Sequence, residues 1–232
     1  MITVTKLADL GHFKNDWLEA RYHFSFAGYQ DPARLGIGAL RVWNDDTIQP
    51  GGSFEPHGHR DMEIITYMRR GAITHEDSLG NKGITRAGDV QVMSAGTGIR
   101  HAERNLEPGI TTLFQIWIEP ATRNLAPHWE TREFPKDSRA GRLHPLASGR
   151  AADASAIAIH QDAAVLGATL KAGETLQHPL PGGRRAYLVA ARGNISVNGV
   201  AAPERAGVSV AGEDAITIAA RGPAEVVLVD VA

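Results

Sequence analysis

His57-Gly58-His59 and His101-Ala102-Glu103 are two pairs of potential metal ligands, each interrupted by a single residue. On a β-strand alternate side chains share a face, with their Cα atoms about 6.6 Å apart. If the two strands are neighbours, three imidazoles and one carboxylate can converge on a single divalent ion. Imidazole suits Fe, Cu, Ni and Zn, and the hard carboxylate oxygen moves the preference away from purely thiophilic ions. Spacing alone leaves the carboxylate open: Glu63 has the parity of His57 and His59 and competes with Glu103. A lone His-x-His is commonplace. Two such pairs in β context, in a chain with 10 histidines, favour a metal centre. The chain has no cysteine, which excludes a thiolate site and a disulfide framework.

The elements that must carry these residues read as strands. From Phe54 to Glu119 the pattern is strand–turn–strand, with turns at Gly71, at Gly80-Asn81, at Gly88 and at Gly96 to Gly98. "TTLFQIWIEP" is a strongly β-prone run closed by Pro120. Gly96 and Gly98 are placed to turn the second ligand pair towards the first. His75 and Asp77 fall near the site and read as supporting groups rather than ligands. Arg100 should point to the opposite face from His101. Trp17, Tyr22, Phe24 and Phe26 form an aromatic group that reads first as core packing or a cover, and second as a wall of an aromatic-substrate pocket. His12, His23, His128, His144 and His160 carry no spacing signal.

Residues 121–153 contain Pro127, Pro135 and Pro145, many charges and little periodicity, and read as a connector. From Ala156 the β pattern returns, punctuated by Gly173, Gly193 and Gly212, as an eroded repeat of the first half. The expectation is an all-β chain of two stacked β-barrels: residues 1–135 form a metal-binding barrel and 136–232 a second barrel without metal ligands. That second half retains His178 but no His-x-His pair.

Composition narrows the function classes. With 232 residues and 43% hydrophobic content the chain can bury a substantial core. A formal net charge of −2 gives no electrostatic footprint for nucleic acid. No apolar run approaches the roughly 20 residues that span a bilayer, and no secretory signal is visible at the N-terminus. A cytoplasmic protein without a membrane partner is expected. The charge favours no particular assembly, and a monomer is the working expectation.

The spacing of Gly51, His57, His59, Glu63 and Gly71, followed by Gly88, Gly96, His101 and Asn105, resembles the two bipartite signatures of the cupin superfamily. It departs from them in the longer interval from Glu63 to Gly71, in Ser94 at a position where proline is usual, and in the later position of His101. "PHGHRDMEIITYMRRG", "THEDSLGN" and "MSAGTGIRHAERN", with "HFSFAGYQDP" and "LRVWNDD", closely resemble the pirins, in particular the bacterial branch with quercetin 2,3-dioxygenase activity. This resemblance covers the N-terminal half; the C-terminal half resembles the family in pattern rather than motif. It implies a bicupin fold and His57, His59, His101 and Glu103 as ligands of one divalent transition metal. Fe(II) is the first expectation, with Cu, Co, Ni, Mn or Zn as alternatives. It implies a flavonol and O₂ as substrates, with Glu103 as the base. The alternative from another class is a metal- or redox-dependent regulatory protein that binds a transcription factor or an enzyme partner.

Overall fold

The computed structural model describes all 232 residues. It is almost entirely β: 22 strands and three short 3₁₀ turns, with no α-helix. No helix is long and apolar enough to cross a membrane. The strands form four sheets, one of seven strands and one of four in each half of the molecule.

In the N-terminal half the seven-stranded sheet runs in the order His128–Arg132, Val90–Ser94, Glu63–Arg70, Thr111–Ile118, Leu40–Ile48, Leu18–Tyr22, Gly11–Lys14. The four-stranded sheet runs Ser53–His59, Ile99–Arg104, Ala72–Asp77, Lys82–Arg86. Every pairing in these two sheets is antiparallel. The C-terminal half repeats the plan with a seven-stranded sheet centred on Ala224–Val231 and a four-stranded one centred on Ala215–Ala220 and Ile195–Val197. Each half is thus a pair of facing sheets, and the strand ladders do not join the members of a pair into a closed ring.

Two features depart from the reading of the sequence. The connector at 121–153 contributes a strand to each half: His128–Arg132 pairs with Val90–Ser94, and His144–Ser148 pairs with Ala163–Leu170. His128–Arg132 sits at the sheet edge with no fully buried residue, so it carries no hydrophobic alternation to read. The first strand, Ile2–Thr5, pairs with Gly207–Val210 and so extends the C-terminal sheet.

The two seven-stranded sheets pack against each other. Their shared core of 24 buried residues takes Trp43, Ile65, Tyr67, Val92, Phe114 and Ile116 from one side, and Leu146, Val165, Tyr187, Val189, Val227 and Val229 from the other. This explains the imperfect alternation of Glu63–Arg70: its first six residues are all buried, one face towards the other half and one towards its own interior.

The interiors of the two halves differ. In the C-terminal half the interior is one apolar cluster of 20 residues. In the N-terminal half the apolar interior is split into clusters of seven and four residues. Between them lie polar side chains: Asn44, Asp46, Thr66, Gln91, His75, His101 and Glu103 are all buried. Burying these groups costs free energy unless each is hydrogen-bonded or serves a ligand. The sequence concentrates that cost in one half, where the histidine pairs lie.

Candidate metal centre

His57 and His101 are directly paired across the antiparallel ladder between Ser53–His59 and Ile99–Arg104. His59 faces the same way two residues along, and its ring centroid lies 4.8 Å from that of His57 and 5.0 Å from that of His101. Ligand atoms of His57, His59 and His101 all lie within 4.8 Å of one another. The turn before Ile99–Arg104 makes this approach possible. Gly96 has a left-handed φ of 45°, and a Cβ there would stand 2.1 Å from the Leu125 carbonyl oxygen. No side chain fits that position.

A second group shares His101. His75, His101 and Glu103 also bring ligand atoms within 4.8 Å of one another, and all three are buried. Glu103 therefore lies against His101 but does not share one such group with His57 and His59. The two groups differ in freedom. His75 is stacked on Trp129 at 4.7 Å with the rings 9° apart, and its Nε2 lies 3.0 Å from Asp77 Oδ2. Gly83 allows this stack, since a Cβ there would stand 2.4 Å from the Trp129 ring. His57 and His59 are partly exposed and line a cavity. His101 and Glu103 are buried and do not line that cavity.

The hydrogen bonds fix which nitrogens are free. His57 Nδ1 lies 2.8 Å from the Glu55 carbonyl oxygen, so Nδ1–H donates and Nε2 keeps its lone pair. His75 Nε2–H donates to Asp77, leaving Nδ1 to accept from Nδ1–H of His101 at 3.5 Å. His101 Nε2 is then a buried lone pair, and it has no hydrogen-bond partner. Burial, then the neighbouring His57, holds His59 down to about 4. Burial, followed by His57, His59 and His75, holds His101 well below its ordinary value. Both imidazoles are neutral near pH 7, the form that binds a metal.

Glu103 is 1% exposed and accepts hydrogen bonds from Gln91 Nε2 at Oε1 and from Gln115 Nε2 at Oε2, the latter at 2.9 Å. Burial pushes its carboxyl above the usual range; His75, His57 and the two glutamine bonds work against that shift. A divalent cation would compensate this buried carboxylate. The unpartnered His101 nitrogen, the neutral imidazoles and the Glu103 oxygen together fit a transition metal such as Fe, Ni, Cu or Zn.

Glu63 does not belong to this group. The chain bends between His59 and Glu63, so strand parity does not carry over, and Glu63 faces the other half of the molecule. Ser94 Oγ donates to Oε2, and His160 Nδ1 lies 3.1 Å from Oε1. Neither Arg60 nor Arg100 pairs with Glu63: Arg60 bonds Asn124, and Arg100 bonds the Pro56 carbonyl on the outer face. His178 bonds Asp230 at 2.7 Å.

The cavity beside His57 and His59 has a volume of about 180 Å³. Tyr22, Phe26, Phe54 and Trp117 wall it, with Asn44, Asp46 and Gln115 as polar members. Trp117 stands edge-on to His59, with centroids 4.9 Å apart at 83°. The aromatic group read from the sequence thus divides. Tyr22 and Phe26 line the cavity, Phe24 packs on Tyr187 in the shared core, and Trp17 backs Phe54.

Fold and site together define a two-domain, nearly all-β cupin protein with a histidine-rich pocket in its N-terminal domain. Residues 4–118 match the Pirin family model, and residues 146–231 match the model described as the quercetinase C-terminal cupin domain. A pirin-like protein of Caulobacter vibrioides is 58% identical over 223 residues, spanning 96% of both chains. A quercetin 2,3-dioxygenase of Escherichia coli is 42% identical over 233 residues, spanning 99% of this chain and 98% of its own. The crystal structure of the bacterial pirin YhhW of E. coli in complex with nickel(II) superposes with a TM-score of 0.94. It is 39% identical, and the match covers 100% of this chain and 99% of that one. The chain belongs to the pirin family.

Proposed function

We propose that this protein is a metal-dependent dioxygenase that cleaves flavonols such as quercetin with O₂. The observation that carries the reading is the convergence of His57, His59 and His101 beside an aromatic-walled cavity, with the His101 Nε2 lone pair left unpartnered. The names of the relatives support the same reaction class, and a nickel(II) complex of a similar pirin supports a transition metal. On this reading His57, His59, His101 and Glu103 hold one divalent metal, Fe(II) before Cu, Co, Ni, Mn or Zn. On the same reading residues 1–135 form the metal-binding domain and 136–232 the domain without ligands, the first strand being lent across.

When bound, the metal lowers the pKa of the substrate's 3-hydroxyl and orients it. The protein's own groups do the rest. Phe54, Trp117, Tyr22 and Phe26 hold an aromatic ring and exclude water from the pocket. Glu103 takes the 3-hydroxyl proton at a carboxylate oxygen. Gln91 and Gln115 hold that carboxylate in place. The test is metal content and O₂ uptake with quercetin, for the parent and for Glu103→Gln. The reading requires turnover in the parent and its loss in the variant; a metal-loaded parent that consumes no O₂ with any flavonol refutes it.

A further inference from the structure

The metal-side cavity holds two polar groups that this reaction leaves idle. Asn44 and Asp46 alternate on Leu40–Ile48 and both line the cavity. Each is 3% exposed, and Oδ1 of each is buried without a hydrogen-bond partner. Asp45 between them faces the opposite side, where Arg69 and Arg205 pair with it. Asp46 itself makes no ion pair; the charge of Arg69 reaches it only at a distance. Leaving buried polar groups unpaired costs folding free energy. An interior built for stability alone would be apolar here, as the interior of the C-terminal half is. Unpaired acceptors between aromatic walls suit a ligand that brings both a flat ring and hydroxyl donors. The cavity, at about 180 Å³, is smaller than the roughly 300–1,000 Å³ that enclose a whole drug-sized ligand. It seats one ring.

We infer that Asn44 and Asp46 select the substrate by hydrogen-bonding hydroxyls of the aromatic ring seated in this cavity, other than the hydroxyl presented to the histidines. The inference rests on the flavonol reading and narrows it to polyhydroxylated substrates. It is tested by titrating metal-loaded protein, without O₂, with quercetin and with 3-hydroxyflavone, which has the 3-hydroxyl alone; O₂ uptake is then measured with both. The parent should bind quercetin about tenfold or more tightly than 3-hydroxyflavone, the worth of one well-made hydrogen bond. Asp46→Leu and, separately, Asn44→Leu should lose about tenfold for quercetin and leave 3-hydroxyflavone within about twofold. Asp46→Asn keeps an acceptor oxygen and should retain most of the preference. Metal content should not change. The melting temperature of Asp46→Leu should not fall, because the replaced group is unpaired in the resting protein. Turnover of both flavonols without a preference, or an equal loss for both in the leucine variants, overturns this inference and leaves the flavonol reading standing. A parent that neither binds nor turns over either flavonol overturns both.

Discussion

His75 Nδ1 stands 3.5 Å from His101 Nδ1, and the far nitrogen of His75 is held by Asp77 at 3.0 Å. The chain carboxylate–imidazole–imidazole sets one tautomer throughout and leaves His101 Nε2 as the group facing the site. Burial raises the Asp77 carboxyl, but the hydrogen bonds from His75, Asn81 and the Asn81 and Leu79 amides outweigh it and keep the carboxyl below its ordinary value. Asp77 is thus an anchored anion at the end of the chain. Groups that orient metal-binding histidines in this way are worth about 10–100-fold in metal affinity. His75→Phe, which keeps the stack on Trp129, and Asp77→Asn should each weaken metal binding by about that factor while leaving the β structure intact. Competition against a chelator of known affinity measures it; unchanged affinity in both variants would remove the chain from the account.

Glu63 and Glu103 give opposite expectations. Glu103→Gln places an amide where Gln91 and Gln115 both donate, so one donor loses its acceptor, and metal and turnover should both suffer. Glu63→Gln should keep the metal. Its cost falls on the contact with Ser94 and His160 between the halves: about 1–2 kcal/mol, or a few degrees of melting temperature at this chain length. Metal analysis and melting of the two variants side by side decide the matter; loss of metal in Glu63→Gln alone reverses the assignment.

The acid sensitivity of the metal-free protein has an identified source away from the site. His23 is buried against Tyr187, and burial, then Arg205, Arg34 and Arg69, holds it down to about 3. In the unfolded chain it titrates near 6.5. Between these values the unfolded chain carries a proton that the folded one lacks. Its contribution is therefore fully present above about pH 6.5 and is lost as pH falls towards 3. At pH 5 the loss is about 2 kcal/mol. Urea unfolding of chelator-treated protein at pH 7 and pH 5 should show it, and His23→Gln should flatten the dependence by up to about 1.4 kcal/mol per pH unit. An equally steep dependence in the variant contradicts this.

Gly83 is needed for its lack of a side chain. Gly83→Ala puts a methyl 2.4 Å from the Trp129 ring. The ring must shift off His75, at a cost of about 1–3 kcal/mol, and metal affinity should fall with it. Trp129 fluorescence and chelator competition follow the two effects together; a stable variant with unchanged affinity would show that the stack does not position His75.

The legible part of the site was the part with strand spacing. His57, His59 and His101 are marked by their i, i+2 spacing, whereas Glu103 is preferred to Glu63 only through the resemblance to the pirins; the fold brings the three imidazoles together with Glu103 against one of them. The parity that Glu63 shares with His57 and His59 in the sequence does not hold in the fold, because the chain bends between the two strands, and no residue type announces that bend. His75 and Asp77 had the right spacing to be noticed, but their depth depends on Trp129, which lies in a stretch that reads as connector. Asn44 and Asp46 carry no signal at all: in "LRVWNDD" they look like the polar end of a strand, and only the packing of both faces of Leu40–Ile48 shows which acid is paired and which is idle. The all-β character was legible from turn residues and β-prone runs. The edge strand His128–Arg132 and the exchange of Ile2–Thr5 into the far sheet depend on long-range pairing.

The central claim is that His101 completes a metal site that acts on a flavonol. Its most direct test is metal content together with O₂ uptake on quercetin for the parent and for His101→Ala, with circular dichroism as the check on fold. The parent should hold one metal per chain and sustain O₂ uptake, and the variant should stay β-rich and lose both. Full metal occupancy with undiminished O₂ uptake in His101→Ala would contradict it.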